Sequence, residues 1–312
     1  LPEPVGNLYS IENLLLLSAL FQRFDYFLYI LAQYTENPKD IWDGVTLTAI
    51  TPDETGVYHV TTGAELAWVA SESNKDIITW NIVLDNSIYL GNHAWTPIGQ
   101  DKAFNGVFDG QGYTINDLYI EATNAKTYWG LFGFTNTSSG NPAAIIKNVN
   151  INGNMDIKSG STGNNVGTLI GYSNNGIPEF TNCHSSVNIS MNVATGANYL
   201  GGLIGLMKAG HFTSCSYSGT MTFGADATFN KGWGGLVGSY NSGTSGLEGS
   251  IKDSWFDGTI KSAATAASAS FFLSSSWNSS NKFLSKAASS GSGSSSMSYA
   301  SASGSTSSPS SL

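Results

Sequence analysis

Four short stretches of the chain decide its fold: WGLFG at residues 129–133, VGTLIG at 166–171, LGGLIG at 200–205 and WGGLVG at 233–238. Each stretch encloses apolar residues between glycines, and the closing glycines are 38, 34 and 33 residues apart. A single repeat of this kind cannot bury its apolar face by itself, whereas stacked repeats complete a shared core. The spacing therefore predicts a repeat fold in which each copy supplies one layer.

A second shared segment follows each glycine core and starts at Ile145, Glu179, His211 or Ser250. Aligning these segments gives an apolar column of Ile146, Phe180, Phe212 and Ile251, a small-residue column of Val149, Cys183, Cys215 and Ser254, and a polar column of Asn148, Asn182, Ser214 and Asp253. We expect the apolar column to stack inside the fold. Amide side chains of the polar column are expected to hydrogen-bond from one layer to the next.

The strands within each repeat are predicted to be few and very short, whereas a propeller blade needs four strands. Short parallel strands stack into a β-helix, whose layers lie roughly 4.8 Å apart. The glycines are expected at corners, where a positive φ or a close approach of two backbones excludes a side chain. A helix is predicted at residues 62–71, with Thr62 as N-cap and Glu65 completing a capping box, and it would cover the N-terminal end.

The glycine cores resemble the GLUG motif repeats of bacterial and some eukaryotic cell-surface proteins, including adhesins and regions attached to IgA-specific peptidases. The preceding segment is similar as well, with WTPIG at residues 95–99 and FNGVFDGQGYTI at 104–115. The resemblance covers about residues 42–261. It implies an all-β, right-handed parallel β-helix and export to a cell surface, and the family has no general set of catalytic residues.

Three regions are predicted along the chain. Residues 1–41 form an apolar helical segment, residues 42–261 form the β-helix with its lead-in and short capping helix, and residues 262–312 form a serine-rich, low-complexity tail. Charged residues interrupt the apolar run at 11–32, so we expect this extra N-terminal helix to pack on the domain end or on a partner. Part of a membrane or export segment is the alternative. The tail buries too little apolar area to offset chain entropy and is predicted to be disordered.

Composition limits the classes of partner. The chain has a net charge of −9 and a single arginine, Arg23, so a basic patch for nucleic acid or anionic lipid is excluded. We therefore expect membrane association only through residues 11–32 or through an anchor outside this sequence. Charged residues make up only 11% of the chain, and 36 residues are glycine. This composition favours a β-rich protein outside the cell or on its surface.

Catalytic groups are sparse in the sequence. Hydrolysis of a glycosidic bond requires two carboxyl groups about 5 to 10 Å apart. The candidate pairs are Asp109 with Asp117 and Asp253 with Asp257. The second pair would share one outward face if both residues lay on a strand. Turn and surface roles are the alternative for all four, and we favour that interpretation.

Neither a metal site nor a cofactor site is predicted. The chain has four histidines, none in a recognised metal-ligand spacing: His59, His93, His184 and His211. Calcium-binding repeats, phosphate-binding loops and nucleophile elbows are also missing from the sequence.

Aromatic residues are the candidate ligand contacts, because their faces can stack on sugars. The candidates are Tyr128, Trp129, Tyr199, Trp233 and Trp255. Packing at corners and ends of the solenoid is the alternative role for the same side chains.

The two cysteines, Cys183 and Cys215, share one register and are predicted to lie on neighbouring layers. Their expected separation of about 5 Å is compatible with a disulfide. The small-residue column that they occupy favours two stacked free thiols, and a disulfide is the alternative.

These observations support a non-catalytic surface or secreted module for adhesion, binding or structural display, whose partner is an extracellular protein or a glycan. The alternative is a carbohydrate-active β-helix enzyme, either a polysaccharide lyase or a glycoside hydrolase. An ice- or mineral-binding solenoid is disfavoured, because no regular Thr-x-Thr array runs through the repeats.

Overall fold

The computed structural model describes residues 40–262 except 124–125, 138–139, 159–164, 192–198, 225–231 and 241–248, together with two strands at 284–287 and 298–301. The apolar helix predicted within residues 1–41 lies outside the described residues, as does most of the serine-rich tail. Within the described part, no helix is long and apolar enough to cross a membrane.

The described residues form one α-helix and 24 short strands. In chain order these are β1 (Val57–Val60), α1 (Gly63–Lys75), β2 (Asn81–Leu84), β3 (Ile88–Tyr89), β4 (Val107–Asp109), β5 (Thr114–Ala122), β6 (Tyr128–Trp129), β7 (Phe132–Thr135), β8 (Ile145–Ile157), β9 (Asn165–Gly167), β10 (Ile170–Ser173), β11 (Glu179–Ser185), β12 (Asn188–Met191), β13 (Tyr199–Gly201), β14 (Ile204–Met207), β15 (Gly210–Thr213), β16 (Ser216–Tyr217), β17 (Thr220–Phe223), β18 (Gly232–Gly234), β19 (Val237–Tyr240), β20 (Gly249–Lys252), β21 (Trp255–Phe256), β22 (Thr259–Ser262), β23 (Leu284–Ala287) and β24 (Ser298–Ser301).

Parallel pairing between successive turns builds the molecule. One large sheet contains the path β1-β2-β4-β8-β11-β15-β20, and two small sheets contain β6-β9-β13-β18 and β7-β10-β14-β19. Every described pair from β1 to β22 is parallel, whereas β23 and β24 pair antiparallel in the tail. Each small sheet stacks four strands, so about three complete turns separate its first strand from its last. The predicted parallel β-solenoid is confirmed, and its right-handed sense stays a prediction.

The predicted apolar column lies inside the solenoid. Ile146 pairs with Phe180, Phe180 with Phe212, and Phe212 with Ile251. All four side chains are buried. The rings of Phe180 and Phe212 are stacked, with centroids 4.2 Å apart and planes inclined by 14°. The repeat alignment therefore identified both the pairing register and the core.

The core glycines allow two sheets to approach closely. A Cβ at Gly171 would lie 2.6 Å from the backbone N of Trp129 and 2.8 Å from the carbonyl oxygen of Asn165. None of the glycines in the four cores has a positive φ. Of the two reasons expected for these glycines, close backbone approach is confirmed and a left-handed corner conformation is wrong.

The left-handed corners fall instead on the polar column. Asn148, Asn182, Ser214 and Asp253 have φ values of 54°, 53°, 55° and 47°. Asn and Asp tolerate this region better than other residues with a Cβ, because their short polar side chains hydrogen-bond locally. Each such residue bends the chain between two strand segments and ends the regular alternation of side chains there.

Helix α1 follows the predicted capping box. The Glu65 backbone N–H donates to Thr62 Oγ1, and the Thr62 backbone N–H donates to the Glu65 carboxylate at 3.0 Å. The helix runs four residues beyond the predicted end and buries Leu66 and Val69. Its Ser73 hydroxyl accepts from the backbone N–H of Gly99 at 2.8 Å. The helix therefore packs on the segment that pairs with β7 through Ile98, at the N-terminal side of the glycine cores.

Candidate functional site

Outward-facing side chains of β11, β15 and β20 line a shallow groove of about 280 Å³, which we call the stacked groove. Strand alternation and parallel register place its six residues in two columns. The first column is Glu179, His211 and Ser250, and the second is Thr181, Thr213 and Lys252. Between the columns, the intervening residues point into the core. The groove therefore presents polar side chains at matching places on three successive turns.

The stacked groove contains an acidic and a basic side chain, Glu179 in the first column and Lys252 in the second, two turns apart. In the described part of the chain, no carboxylate lies within 4.0 Å of the Lys252 ammonium, and no cation within 4.0 Å of the Glu179 carboxylate. His211 and Ser250 are hydrogen-bonded to each other, with Nδ1 and Oγ 2.7 Å apart. The groove thus offers separate acidic, basic and hydroxyl groups to a ligand.

A ladder of amides runs along the corner beside the groove, and we call Asp109, Asn148 and Asn182 the amide ladder. The Asn182 amide donates to Asn148 Oδ1 at 3.1 Å, and the Asn148 amide donates to Asp109 Oδ1 at 3.0 Å. The predicted hydrogen bonding within the polar column is confirmed for Asn148 and Asn182, and Asp109 extends it by one turn. Each amide NH2 group donates to the oxygen of the residue on the preceding turn, so all hydrogen bonds of the ladder point the same way along the solenoid.

His184 continues the ladder towards an exposed tryptophan. Its Nε2 lies 2.9 Å from Asn182 Oδ1, and its Nδ1 lies 2.8 Å from Ser216 Oγ. An amide oxygen only accepts, so Nε2 carries the proton and Nδ1 of the neutral ring accepts from the serine hydroxyl. The Trp255 ring, 43% exposed, has its centroid 5.8 Å from that of His184. The corner thus combines amide, hydroxyl, imidazole and indole groups on neighbouring turns.

We expect an NMR titration to place His184 and His59 on opposite sides of the ordinary histidine pKa of 6.5. Burial lowers the pKa of His184. Hydrogen bonds from His59 to Asp85 and Asp53 raise the pKa of His59. The neutral form of His184 is favoured in the fold, so its contribution to stability is present above about pH 6.5 and is lost as the pH falls. The contribution of His59 to stability has the opposite pH dependence. It is present below about pH 6.5 and is lost as the pH rises through the pKa of His59 in the folded state.

Asp85→Asn is the control for this titration. It should lower the pKa of His59 and leave the pKa of His184 unchanged, because the two histidines share no partner. A His184 pKa above 6.5 would contradict the neutral hydrogen-bonding scheme at the corner.

Neither candidate aspartate pair lies on a single strand. Asp109 pairs with Lys147 of β8, whereas the Asp117 backbone N–H donates to the side chain of Asn152, further along β8. The left-handed residue Asn148 lies between these two positions of β8. Burial opposes ionisation of Asp109, but hydrogen bonds from Asn148 and Gln111 and the nearby Lys147 ammonium outweigh it and lower the pKa of this carboxyl. Asp109 is therefore held as a turn residue and an ion-pair partner.

The second aspartate pair lies on either side of a short strand. Asp253 occupies the left-handed corner between β20 and β21, and Asp257 follows β21. Shared parity along one strand, which the sequence suggested, does not apply across that corner. Both residues are exposed and lie outside the strands.

The five aromatic candidates differ in accessibility. Trp129 is only 7% exposed and packs in the core. Tyr128 is half-buried between Phe134 and Tyr172, with ring centroids 4.7 and 5.3 Å away. Tyr199 and Trp233 are also half-buried. Trp255 is the candidate whose ring is open to a ligand, so the packing interpretation fits the other four better.

Metal and redox groups are limited in the described part of the chain. No cluster of three or more His, Cys, Asp and Glu side chains is close enough there to hold a metal ion. Cys183 and Cys215 are buried, and both are free thiols. The Cys183 thiol donates to the carbonyl of Ile146 and the Cys215 thiol to that of Phe180, both at 3.5 Å. Burial raises the pKa of Cys183.

We expect alkylation of the unfolded, unreduced protein to add two labels to its intact mass, one for each cysteine. Each thiol donates to a carbonyl of the preceding turn, an arrangement that a disulfide would remove. The folded protein should react far more slowly, because both sulfur atoms are buried. An unreduced sample that takes up no label after unfolding would show that the cysteines are joined.

Comparison with known proteins gives a limited match. No family model matches the chain. Over 179 residues, or 52% of the chain, the sequence is 30% identical to halomucin from Haloquadratum walsbyi, and this stretch is 2% of halomucin. A solved structure from Bacteroides ovatus, provisionally assigned as an immunoglobulin A1 protease, is 17% identical with a TM-score of 0.48, covering 69% of this chain and 70% of that chain. The chain therefore spans a small part of the curated relative that it matches.

Sequence reasoning missed the stacked groove. Its residues belong to three separate repeats, and none carries a motif. A signal was present nevertheless, because the aligned second segments begin Glu-Phe-Thr, His-Phe-Thr and Ser-Ile-Lys. In each triplet the central residue is buried, so the first and third positions had to face outwards together.

Proposed function

We propose that this chain is a non-catalytic β-solenoid module, secreted or displayed on a cell surface, that binds an extended polymer along its outer face. The observation that carries this proposal is the stacked groove, together with the exposed ring of Trp255 on β21, the strand that follows the Asp253 corner. Hydrogen-bonding side chains recur there at matching places on three successive turns. A polymer lying along the solenoid axis would meet a similar surface at each turn.

The chemistry of this face favours a glycan over an apolar ligand. Thr181 and Thr213 supply hydroxyl groups, and Asn182 at the adjacent corner supplies an amide. Trp255 offers an exposed ring face, which can stack on a sugar ring. Hydroxyl-rich ligands need many such donors and acceptors, whereas an apolar partner would need a larger exposed hydrophobic patch.

Placement outside the cell is part of the proposal. The low content of charged residues supports it, as does the similarity to a segment of halomucin, which is a mucin by name. The resemblance of the glycine cores to GLUG repeats, with the adhesin role and right-handed coil that it implies, supports the same assignment.

The carbohydrate-active enzyme receives less support from the structure. Cleavage of a glycosidic bond needs an acid and a second carboxylate on either side of the bond. The two aspartate pairs suggested for this role are separated by corners, and Asp109 is engaged by Lys147 and Asn148. We therefore propose binding without cleavage.

A glycan and extracellular-matrix array, followed by affinity measurements on its hits, tests this function. Trp255→Ala should weaken binding by about tenfold or more, because losing a stacked aromatic contact costs of the order of 1.4 kcal/mol. Tyr113→Ala is the matched control, since Tyr113 is another exposed aromatic residue but lies on an earlier turn. Equal binding by the wild type and Trp255→Ala would contradict the assigned face.

The double variant Asp109→Asn with Asp117→Asn separates binding from catalysis. It should retain full binding, because an amide side chain at position 109 would keep the oxygen that accepts from Asn148. Neither the variant nor the wild type should release oligosaccharide from the bound polymer. Release by the wild type that the double variant loses would establish the enzyme instead.

A further inference from the structure

We infer that the polymer bound in the stacked groove is an acidic polysaccharide, with a carboxylate of the ligand on Lys252. This inference rests on the proposed function and names the class of ligand. It starts from a lysine in the groove whose ammonium has no carboxylate partner among the described residues.

Lys252 differs from most lysines of the described chain, whose ammonium groups have partners. Four of them form ion pairs with carboxylates, at 3.2 Å or less, and a fifth lies over a tyrosine ring: Lys75, Lys126, Lys147, Lys158 and Lys208. Lys252 has no carboxylate within 4.0 Å among the described residues, yet it points into the groove. Its ammonium is therefore available to an anionic group of a ligand.

The column that contains Lys252 carries a second cation. Register pairing gives the order Lys147, Thr181, Thr213 and Lys252 on four successive turns. Three layer spacings separate the two lysines, which is roughly 14 Å along the solenoid axis. Lys147 is paired with Asp109 at 3.2 Å and is 39% exposed, so a ligand carboxylate can also approach it. A polymer with recurring carboxylates matches this arrangement better than a small anion does.

The rest of the groove suits the hydroxyl groups of such a polymer. Thr181 and Thr213 lie between the two lysines and can donate or accept. The Glu179 carboxylate accepts hydrogen bonds, which sugar hydroxyls supply. The net charge of −9 would repel an acidic polymer at long range. At physiological salt this repulsion is screened beyond the Debye length of about 8 Å, so the groups close to the ligand dominate its binding.

The test compares polygalacturonate with the same polymer after chemical reduction of its carboxyl groups to neutral alcohols. The wild type should bind the acidic polymer about tenfold more tightly than the reduced one, the factor expected from one charge-assisted contact. Lys252→Gln should remove most of this preference, so that its affinities for the acidic and the reduced polymer come to lie close together. Lys261→Gln is the matched control, because Lys261 is exposed on β22, outside the groove.

Thermal unfolding of both variants checks that they fold, and the polymer comparison then distinguishes two failures. If the wild type binds both polymers equally, or if Lys252→Gln keeps the preference, the inference is overturned while the binding function stands. If neither polymer binds, the inference is also overturned, and the array with Trp255→Ala decides the proposed function separately.

Discussion

Replacing Gly205 by alanine is expected to unfold the solenoid or to lower its free energy of unfolding by more than about 4 kcal/mol, the range reached only by severe disruptions. A Cβ at this position would lie 2.5 Å from the backbone N of Val166 and 2.6 Å from the carbonyl oxygen of Gly171. Both are backbone atoms of strands paired within the two small sheets. They cannot withdraw without breaking those ladders, so the overlap cannot be relieved locally.

Urea denaturation followed by circular dichroism measures this loss, and Gly112→Ala is its control. Gly112 has a φ of +83° and no atom within 4 Å of its potential Cβ. Alanine there meets only the cost of the left-handed conformation, about 1 to 2 kcal/mol. If Gly205→Ala proves no more costly than Gly112→Ala, the glycine cores do not serve close backbone approach.

The register of the solenoid was predictable because equivalent segments keep the same internal length. Aligning the segments that begin at Glu179 and His211 places Phe180 on Phe212, and the strands pair in that way. Side chains alternate between core and surface along a strand, so one correct pair fixes its neighbours. Long-range pairing was thus encoded in local spacing.

Backbone conformation at single positions was not predictable from the same spacing. Glycine is the usual residue for a positive φ, so corners were expected at the glycine cores. The corners lie instead at Asn148 and its counterparts, whose amides were noticed only for their stacking. The spacing of the repeats shows which positions are equivalent. It does not show whether a glycine at such a position allows a positive φ or a close approach of two backbones.

The candidate site was predictable only in part, because exposure depends on how whole turns pack. Trp129 and Trp255 are both tryptophans of the repeats, yet the first is buried and the second is open to solvent. The difference arises because Trp129 belongs to a glycine core that another sheet covers, whereas Trp255 follows a corner. The expectation that Asp253 and Asp257 share one strand face did not hold either, because Asp253 lies at a corner and neither residue belongs to a strand.

Phe212→Ala is expected to lower the free energy of unfolding by about 3 to 5 kcal/mol, through lost burial and the cavity that remains. Phe212 is 2% exposed and stacks on Phe180 with ring centroids 4.2 Å apart. Its other neighbour along the column is Ile251, on the following turn. Both neighbours belong to paired strands, so the solenoid cannot close the gap by moving one side chain.

Denaturation midpoints and slopes for Phe212→Ala and Phe212→Leu measure this effect. Leucine keeps most of the buried volume, so its cost should be markedly smaller than that of alanine. A loss below about 1 kcal/mol for alanine would place Phe212 outside a packed column, because surface substitutions rarely exceed about 0.5 kcal/mol. An altered slope without a change in midpoint would point to separate unfolding of individual turns, since the slope reports the surface exposed in the transition.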